Sequence, residues 1–202
     1  MAERGEKMRK IEEFWVDFSQ TEEDYAGPAT RFQELIYDSL DSLKGAVVVV
    51  FLVFALMFRV VGVEGNSMNP TLDSGDWLAV SGAETEFERG DIVVVTQPWV
   101  RNVPIIKRVI AVGGDTVDIN FDTHEVFVNG ELLDEPYIAE PTELRYDVEF
   151  PLTVDEGKLF VMGDNRNDSI DSRSSAIGLV DERYVLGRAL VRLLPSFDSN
   201  IG

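Results

Sequence analysis

The feature that most constrains this chain is the apolar run "GAVVVVFLVFALMF" at residues 45–58, which contains no charged residue. Arg59 interrupts the run, and "VVGV" extends it to residue 63. A helix rises about 1.5 Å per residue, so residues 45–63 approach the ~30 Å thickness of the hydrocarbon in a bilayer. The pattern predicts a transmembrane helix over 45–63, with the Arg59 side chain extending to the nearby interface. A buried helix of a soluble protein is the alternative, which the acidic remainder of the chain is poorly suited to cover.

The flanks of this run predict its orientation. The segment 1–44 is too long and too acidic to be a short basic leader that is cleaved off, so we expect a permanent anchor. Arg31 and Lys44 precede the run, whereas no lysine or arginine lies between Glu64 and Ala83. Positive charge favours the cytoplasmic side. The chain is therefore predicted to be a single-pass protein of the cell membrane, with a cytoplasmic N-terminus and its main domain outside.

Residues 1–44 are expected to form a cytoplasmic, acidic, helical segment. "KIEEFWVDF" and "RFQELIYDSL" place apolar residues at helical spacing. "YAGPAT" separates them, and Thr30 is the predicted N-cap of the second helix. Two short amphipathic helices are expected here, packed together or lying on the membrane; a cytoplasmic partner stays open.

The composition excludes several kinds of function. The 202 residues carry a formal net charge of −19, which argues against nucleic-acid binding because phosphate contacts need a basic face. The chain has no cysteine, so disulfides, thiolate metal sites and cysteine catalysis are excluded. The single histidine, His124, rules out a histidine-rich metal site. We therefore expect neither a metal nor another cofactor.

From residue 64 to residue 202 the sequence changes to short β-branched segments with period-two alternation, separated by Gly–Asp and Asn–Gly turns. These segments are "DWLAV", "DIVVVTQ", "IIKRVIAV", "TVDINF", "HEVFVNGELL", "KLFVMG" and "RALVRLL". Asn129–Gly130 predicts a tight hairpin. The expected fold class is mostly β, an antiparallel barrel or sandwich.

Ser67 lies in "VEGNSMNPTLDSGDW", a turn-forming stretch that directly follows the apolar run. A serine hydroxyl is a poor nucleophile until a base removes its proton. His124 is one candidate base, although its position beside a hairpin favours a surface role. A lysine is the other, and lowering its pKa from ~10.4 to ~8 takes about 3.3 kcal/mol from the surroundings. Burial among apolar groups is the means available.

Two lysines follow the apolar run, Lys107 and Lys158. Lys158 follows the acidic turn "VDEG", which favours its charged form. Lys107 lies in "VPIIKRVIAV", where alternate residues on its own face are apolar, while Arg108 is expected to keep its charge at an edge. On these residues alone a surface position remains the commoner role for a strand lysine, and Lys107 is the better of the two candidates.

Four motifs follow the apolar run in order: "GNSMNPTL", "RGDIVVV", "IIKRVIAVGGD" and "VMGDNRNDSIDSR". Together they resemble the type I signal peptidases of bacteria, the membrane-bound enzymes that remove leader peptides from exported preproteins. The resemblance covers residues 45 to 195. It implies a catalytic β-domain of signal peptidase type that follows one transmembrane helix, as in the single-span branch typical of Gram-positive bacteria.

The resemblance also implies roles for individual residues. Ser67 would be the nucleophile and Lys107 the general base. Ser169 would hydrogen-bond to the lysine and orient it, and an ion pair between Asp171 and Arg173 would support the site from behind.

Further features of the site follow from the resemblance. Met68 would lie beside the nucleophile and shape the binding surface. The backbone N–H of residue 67 would form part of the oxyanion hole. Gly65 occupies the position at which another branch carries a serine hydroxyl that completes this hole, so the second donor stays open. The segment 116–158 would be a small accessory β-subdomain.

The sequence departs from the family pattern in three places. Gly113 replaces a proline in "AVGGD", so we expect a looser turn. Asp168 stands where asparagine is common, and its carboxylate could hold Lys107 in the charged form. The link from Arg59 to Ser67 is short, which should place the site close to the bilayer.

The predicted function is a membrane-bound serine endopeptidase acting as a monomer on secretory preproteins, which the resemblance implies carry small residues at positions −1 and −3 before the cut. The alternative is a membrane-anchored β-domain that binds exported or envelope proteins without cutting, which the Gly113 and Asp168 departures would fit. The related self-cleaving repressor domains are soluble and DNA-linked, which the apolar run and acidic charge disfavour. Lys107 argues against the branch that uses histidine.

Overall fold

The structure is a computed structural model and describes residues 28–83, 86–96, 103–199 and 201. The chain divides into two compact units, Met1–Val53 and Phe54–Gly202. The predicted helix "KIEEFWVDF" lies outside the described residues. Each unit is described by itself.

The described part of the first unit is helical. It contains most of helix α1, which runs from Pro28 to Met57. Proline suits the first turn of a helix because it lacks the N–H that would go unpaired there. Because α1 begins at Pro28, Thr30 lies inside the helix, and the prediction that it caps the helix is wrong. The segment "RFQELIYDSL" and most of the apolar run form one continuous helix, since no breaking residue separates them.

The predicted helix over 45–63 is wrong at its C-terminal end. Residues Phe58–Gly62 form a strand, β1, because Val60 and Val61 are β-branched and the segment pairs along its length with another strand. Arg59 accordingly lies in a strand. Within the described residues, no helix combines the length and the apolar character needed to cross a membrane.

The second unit is built from antiparallel strands, so the prediction of a mostly β, antiparallel fold is confirmed. The strands of the larger sheet are β1 (Phe58–Gly62), β2 (Trp77–Ser81), β3 (Ile92–Val95), β4 (Ile105–Val112), β9 (Lys158–Met162), β10 (Val180–Asp181) and β11 (Val185–Leu194). Their order across the sheet is β1-β2-β11-β3-β4-β9-β10. Strand β4 is thus held on both sides, by β3 and by β9.

Strand β11 is long enough to pair with both β2 and β3, and it shifts register as it does so. Gly187 lies at this shift with φ 152°, and a Cβ placed there would come 1.9 Å from the carbonyl oxygen of Ser81. Only glycine fits, so this residue permits the close approach of β11 to β2.

The smaller sheet has the order β7-β6-β5-β8. Its strands are β5 (Thr116–Asn120), β6 (Glu125–Val128), β7 (Glu131–Leu132) and β8 (Leu152–Thr153). The predicted Asn129–Gly130 hairpin joins β6 to β7, with φ values of 55° and 80° that match a two-residue turn. This sheet falls within the segment 116–158. It shares one hydrophobic core with β4 and β9, in which Ile110, Phe160 and Met162 meet Val117 and Val126.

Candidate active site

Ser67 lies on a loop between β1 and β2 whose two ends are tied together. Val63 N–H donates to the Asp76 carbonyl at 2.8 Å, and Gly75 N–H donates back to Val63 at 2.9 Å. The middle of the loop is anchored by the buried side chain of Met68, whose carbonyl accepts from Leu72 N–H at 2.9 Å. These bonds therefore hold the loop in one conformation, in which Ser67 is half-buried.

Lys107 reaches this serine from the middle of strand β4. Its Nζ lies 2.6 Å from Ser67 Oγ and donates to the Ile106 carbonyl at 3.0 Å. The residue is only 3% exposed. Because β3 and β9 flank β4, the amine has little access to water. The structure thus brings together the two residues singled out from the sequence.

Arg108 was expected at an edge of the sheet, and this expectation is wrong. It is buried, and its Nε and Nη2 donate to the two carboxylate oxygens of Asp164, each at 2.8 Å. Asp164 also accepts from the Thr71 hydroxyl at 2.5 Å. The reason is the topology: β4 is central, so the charge is satisfied by a long-range partner. This group links the lysine strand to the serine loop.

A second buried ion pair lies behind the site. Arg173 donates through Nε and Nη2 to the two oxygens of Asp171, at 2.8 and 2.9 Å, and both side chains are fully buried. Asp171 in turn accepts from the Ser169 hydroxyl at 2.8 Å. The arrangement fixes the orientation of Ser169, one of the residues that line the same cleft as Ser67 and Lys107.

Gly163 lies in the narrow space between Ser169 and the loop that carries Ser67. A Cβ at this position would lie 2.2 Å from Ser169 Oγ and 2.4 Å from the carbonyl oxygen of Ser67. The N–H of Gly163 donates to Asp171 at 3.0 Å, and the N–H of Asn165 donates to the Ser67 carbonyl at 3.1 Å. The "GDNR" segment therefore packs directly against the backbone of the serine loop.

The site opens into a cleft of about 1270 Å³. One wall comes from residues 61–68 and the other from residues 103–107, with Leu144, Tyr146 and residues 167–170 closing one side. Gly65 lines the cleft with φ 88°, and its N–H points to the Ser74 hydroxyl at 3.3 Å. Ser67 and Lys107 both line this cleft.

The tyrosines near the site stay protonated. Burial raises the pKa of Tyr146, and the nearby Asp171 raises it further. Burial also raises the pKa of Tyr137 to about 12, helped by Glu135. Neither phenol can therefore supply a base at ordinary working pH, which leaves Lys107 as the basic group in contact with Ser67.

The other residues considered from the sequence lie elsewhere. His124 was predicted in a strand but lies in the turn between β5 and β6 at φ 63°, because the strand ends at Asn120. It does not line the cleft. Lys158 pairs with Asp155 at 2.7 Å near the surface. Asp168 is exposed at the cleft.

Several hydrogen bonds hold the turn at "AVGGD", in which the proline of the family is missing. Asp115 accepts from Val112 N–H at 3.0 Å and from Asn129 Nδ2 at 2.9 Å, and it pairs with Arg89. The N–H of Gly114 also donates to the Val154 carbonyl at 2.9 Å. Side-chain and backbone bonds thus hold this turn, and the expectation that it is looser than the proline-containing turn of the family stays a prediction.

Sequence reasoning gave Arg108 the wrong environment and assigned no role to Asp164, Arg166 or Glu135. Two of these stand in "GDNR", within a motif quoted for the resemblance, so a signal existed for them. Glu135 lies in a segment without periodicity and gave none. Among the described residues, no group of three acidic or histidine side chains could hold a metal ion.

Several known proteins are similar to this chain in sequence. The profile of the family described as "Signal peptidase, peptidase S26" matches residues 36–194. A signal peptidase I of Bacillus licheniformis is 37% identical over 177 residues, covering 83% of this chain and 93% of that protein. Signal peptidase I S of Bacillus subtilis (strain 168) is 36% identical over 153 residues, covering 70% of this chain and 80% of that protein.

A probable signal peptidase I-1 of Synechocystis is 36% identical over 165 residues, covering 74% of this chain and 81% of that protein. A crystal structure of a signal peptidase I from Enterococcus faecalis V583 aligns with a TM-score of 0.42 and 33% identity. It covers 52% of this chain and 98% of that chain.

Proposed function

The chain belongs to the peptidase S26 family of signal peptidases, and on that premise we propose that Ser67 and Lys107 cut the bond joining a signal peptide to an exported protein. The observation that carries the proposal is the contact between a buried amine and a serine hydroxyl at 2.6 Å, inside an open cleft. This distance suits proton transfer in either direction.

The first half of the reaction is acylation. Neutral Lys107 accepts the proton of Ser67 while Oγ attacks the carbonyl carbon, and the carbonyl oxygen becomes an oxyanion. The backbone N–H of Ser67 is the donor that the family resemblance implies for that charge. Lys107 then gives its proton to the leaving nitrogen, the C–N bond breaks and an ester to Ser67 remains.

The second half returns the enzyme to its starting state. Water gives a proton to Lys107 as its oxygen attacks the ester carbon, and the carboxyl product leaves when Ser67 recovers its proton. No atom outside the chain, the substrate and water is required. Ser169 and the Asp171–Arg173 pair hold the geometry in which both halves proceed.

The substrate would lie extended between the two walls of the cleft. Strand β1 pairs with β2 on one side only among the described strands, so its outer edge can accept a further strand. Small residues at positions −1 and −3 are expected from the family resemblance. A non-catalytic binding domain, the alternative raised from the sequence, does not agree with relatives that are peptidases.

Processing of a secretory precursor by purified protein tests the assignment. Ser67→Ala and Lys107→Ala should each lower the rate by about a thousandfold or more, because each removes one partner of the proton transfer. Ser196→Ala and Lys158→Ala are matched controls at exposed positions and should cleave normally. Wild-type rates in either active-site variant would refute the assignment.

We also propose that the apolar part of α1 attaches the protein to a lipid bilayer. Val49 and Phe51 are 59% and 69% exposed, and Phe54 is 58% exposed. Exposed apolar area of this extent mostly marks a binding surface. Val49→Lys with Phe51→Lys should move the protein from the pellet to the supernatant after sedimentation with phosphatidylcholine vesicles. Glu34→Lys is the control, and unchanged sedimentation of the double variant would contradict attachment.

The predicted orientation and assembly have their own tests. An extracytoplasmic Ser67 would be accessible to protease added to intact cells, whereas residues 1–44 would be protected. A monomer is expected in detergent, and light scattering measures it. Cleavage of both ends in intact cells would contradict the orientation.

A further inference from the structure

Leu144 and Tyr146 line one side of the cleft and belong to the segment Leu133–Tyr146, which contains neither helix nor strand. A segment without regular hydrogen bonding must be held by its side chains. Thr142 is fully buried, and the Glu135 side chain is 9% exposed. Both of these side chains contact the same residue, Arg166.

Arg166 is the point at which this segment meets the active site. Its guanidinium lies 2.5 Å from the Glu135 carboxylate and donates to the Thr142 hydroxyl at 3.0 Å. The Tyr137 ring lies below the guanidinium at 5.8 Å. Burial raises the pKa of Glu135 even with Arg166 beside it, which indicates a contact shielded from water. Solvent screens a charge contact that is shielded from water less than one at the surface.

Arg166 also contacts Gly163, the glycine that lies between Ser67 and Ser169. Nε of Arg166 donates to the carbonyl oxygen of Gly163 at 3.0 Å. Gly163 leaves no room for a Cβ between Ser67 and Ser169, so a small movement of this peptide changes the position of both. A displacement of about 1 Å in an active site can cost a hundredfold in rate.

We infer that Glu135 is a positioning residue for catalysis, acting through Arg166 and Gly163 on the nucleophile Ser67. It does not line the cleft, so it contributes to the reaction rate and not to substrate binding. Removing its charge leaves Arg166 buried without its carboxylate partner, and the guanidinium then turns toward other acceptors. The inference rests on the proposed function for the role of Ser67.

Steady-state kinetics of Glu135→Gln test the inference. The substitution keeps the shape of the side chain and removes its charge. We expect kcat for a precursor to fall about tenfold with KM within about twofold, after correction for the folded fraction measured by circular dichroism. Asp134→Asn removes one charge from the adjacent exposed residue and should leave both constants unchanged. A normal kcat in Glu135→Gln, or a change confined to KM, would overturn the inference.

A second variant covers the case in which Glu135→Gln does not fold. Thr142→Val removes the hydroxyl that accepts from Arg166 Nη1 while keeping the side chain at constant size, and kcat should fall about threefold. Where both single variants fold, their effects should be less than additive in the double variant, because both residues act through Arg166. Wild-type kcat in Thr142→Val, or fully additive effects, would each overturn the inference.

Phosphonylation of Ser67 by a fluorophosphonate, in which Oγ bonds to phosphorus and fluoride leaves, separates this inference from the proposed function. The reagent reports the position and activation of Ser67 without a precursor. If wild-type protein reacts but does not process precursors, the proposed function fails; slower labelling of Glu135→Gln still supports positioning. If wild-type protein processes precursors and Glu135→Gln is labelled at the wild-type rate, the inference fails alone.

Discussion

Lys107 and Arg108 are neighbours on β4 that solve the problem of a buried cation in opposite ways. Arg108 keeps its charge by binding both oxygens of Asp164. Lys107 is equally buried and contacts a hydroxyl and a carbonyl oxygen. A guanidinium cannot lose its proton in a protein, whereas an amine can. Of the two, only Lys107 can therefore serve as the proposed base.

Activity should rise with pH as Lys107 loses its proton, since only the neutral amine can accept the proton of Ser67. The pKa values of Tyr137 and Tyr146 are raised, so tyrosine ionisation does not account for a rise below pH 10. Initial rates of precursor cleavage between pH 6 and 10 measure it. A flat profile would exclude a lysine base.

Gly163→Ala tests the close packing beside the dyad. The new methyl group would lie 2.2 Å from Ser169 Oγ and 2.4 Å from the Ser67 carbonyl, so the backbone of the serine loop must move. We expect a loss of activity of about a hundredfold or more. Gly45→Ala, where a Cβ meets nothing within 4 Å, is the matched control and should be fully active. Rapid cleavage by Gly163→Ala would show that the loop tolerates the shift.

At the scale of elements, the turn between β4 and β5 joins the two sheets. Asp115 holds this turn by accepting from Val112 and Asn129 and by pairing with Arg89, which comes from the loop before β3. Burial acts to raise the pKa of Asp115, but the bond from Arg89 and the other donors outweigh it, and the pKa is lowered. The ionised carboxylate thus stabilises the junction of the sheets.

Asp115→Asn should lower the free energy of unfolding by about 1–3 kcal/mol at pH 7, because buried donors lose a charged acceptor. A lowered pKa means that the contribution is complete above the ordinary value of 3.8 and is lost as the pH falls through the folded value. The difference from wild type should therefore shrink well below pH 3.8. Urea unfolding at pH 7 and at a pH well below 3.8 measures this difference in the free energy of unfolding. Asp122→Asn, an exposed change nearby, should cost little, and a difference that grows in acid would contradict the assignment.

At the scale of the whole molecule, charge is the dominant property. A net charge of −19 over 202 residues favours solubility and opposes compaction by self-repulsion. The buried ion pairs carry balanced charge, so the excess lies on the surface. Salt should act on this excess and leave the buried pairs largely unaffected.

Raising ionic strength from 0.02 to 0.2 M should raise the Tm by roughly 3 °C, which corresponds to about 1 kcal/mol for a domain of this size. Screening of surface repulsion is the cause. Differential scanning calorimetry measures the shift. Sodium and potassium chloride at equal ionic strength should give the same gain, because screening does not depend on the identity of the cation. A Tm that falls with salt would show that attractive surface pairs dominate.

Much of the second unit was predictable from local pattern. The residues of β4 and the hairpin at Asn129–Gly130 follow from alternation and from turn chemistry, which act between neighbours in sequence. Ser67 and Lys107 were found by elimination and by motif order, since few residues could perform the chemistry. The membrane helix over 45–63 was misjudged at its end because Phe58–Gly62 is apolar enough for either structure, and pairing with β2 decided the matter.

The sequence by itself determined the types of strand and turn and the two residues proposed to react, because these depend on side-chain chemistry and short-range periodicity. Only the tertiary structure decided that Arg108 is buried against Asp164, that Gly163 touches the serine loop, and that Glu135 reaches Arg166. Such contacts join residues tens of positions apart and follow from the order of strands in the sheet. Local sequence carries no record of that order, whereas burial makes each of these polar groups require a partner.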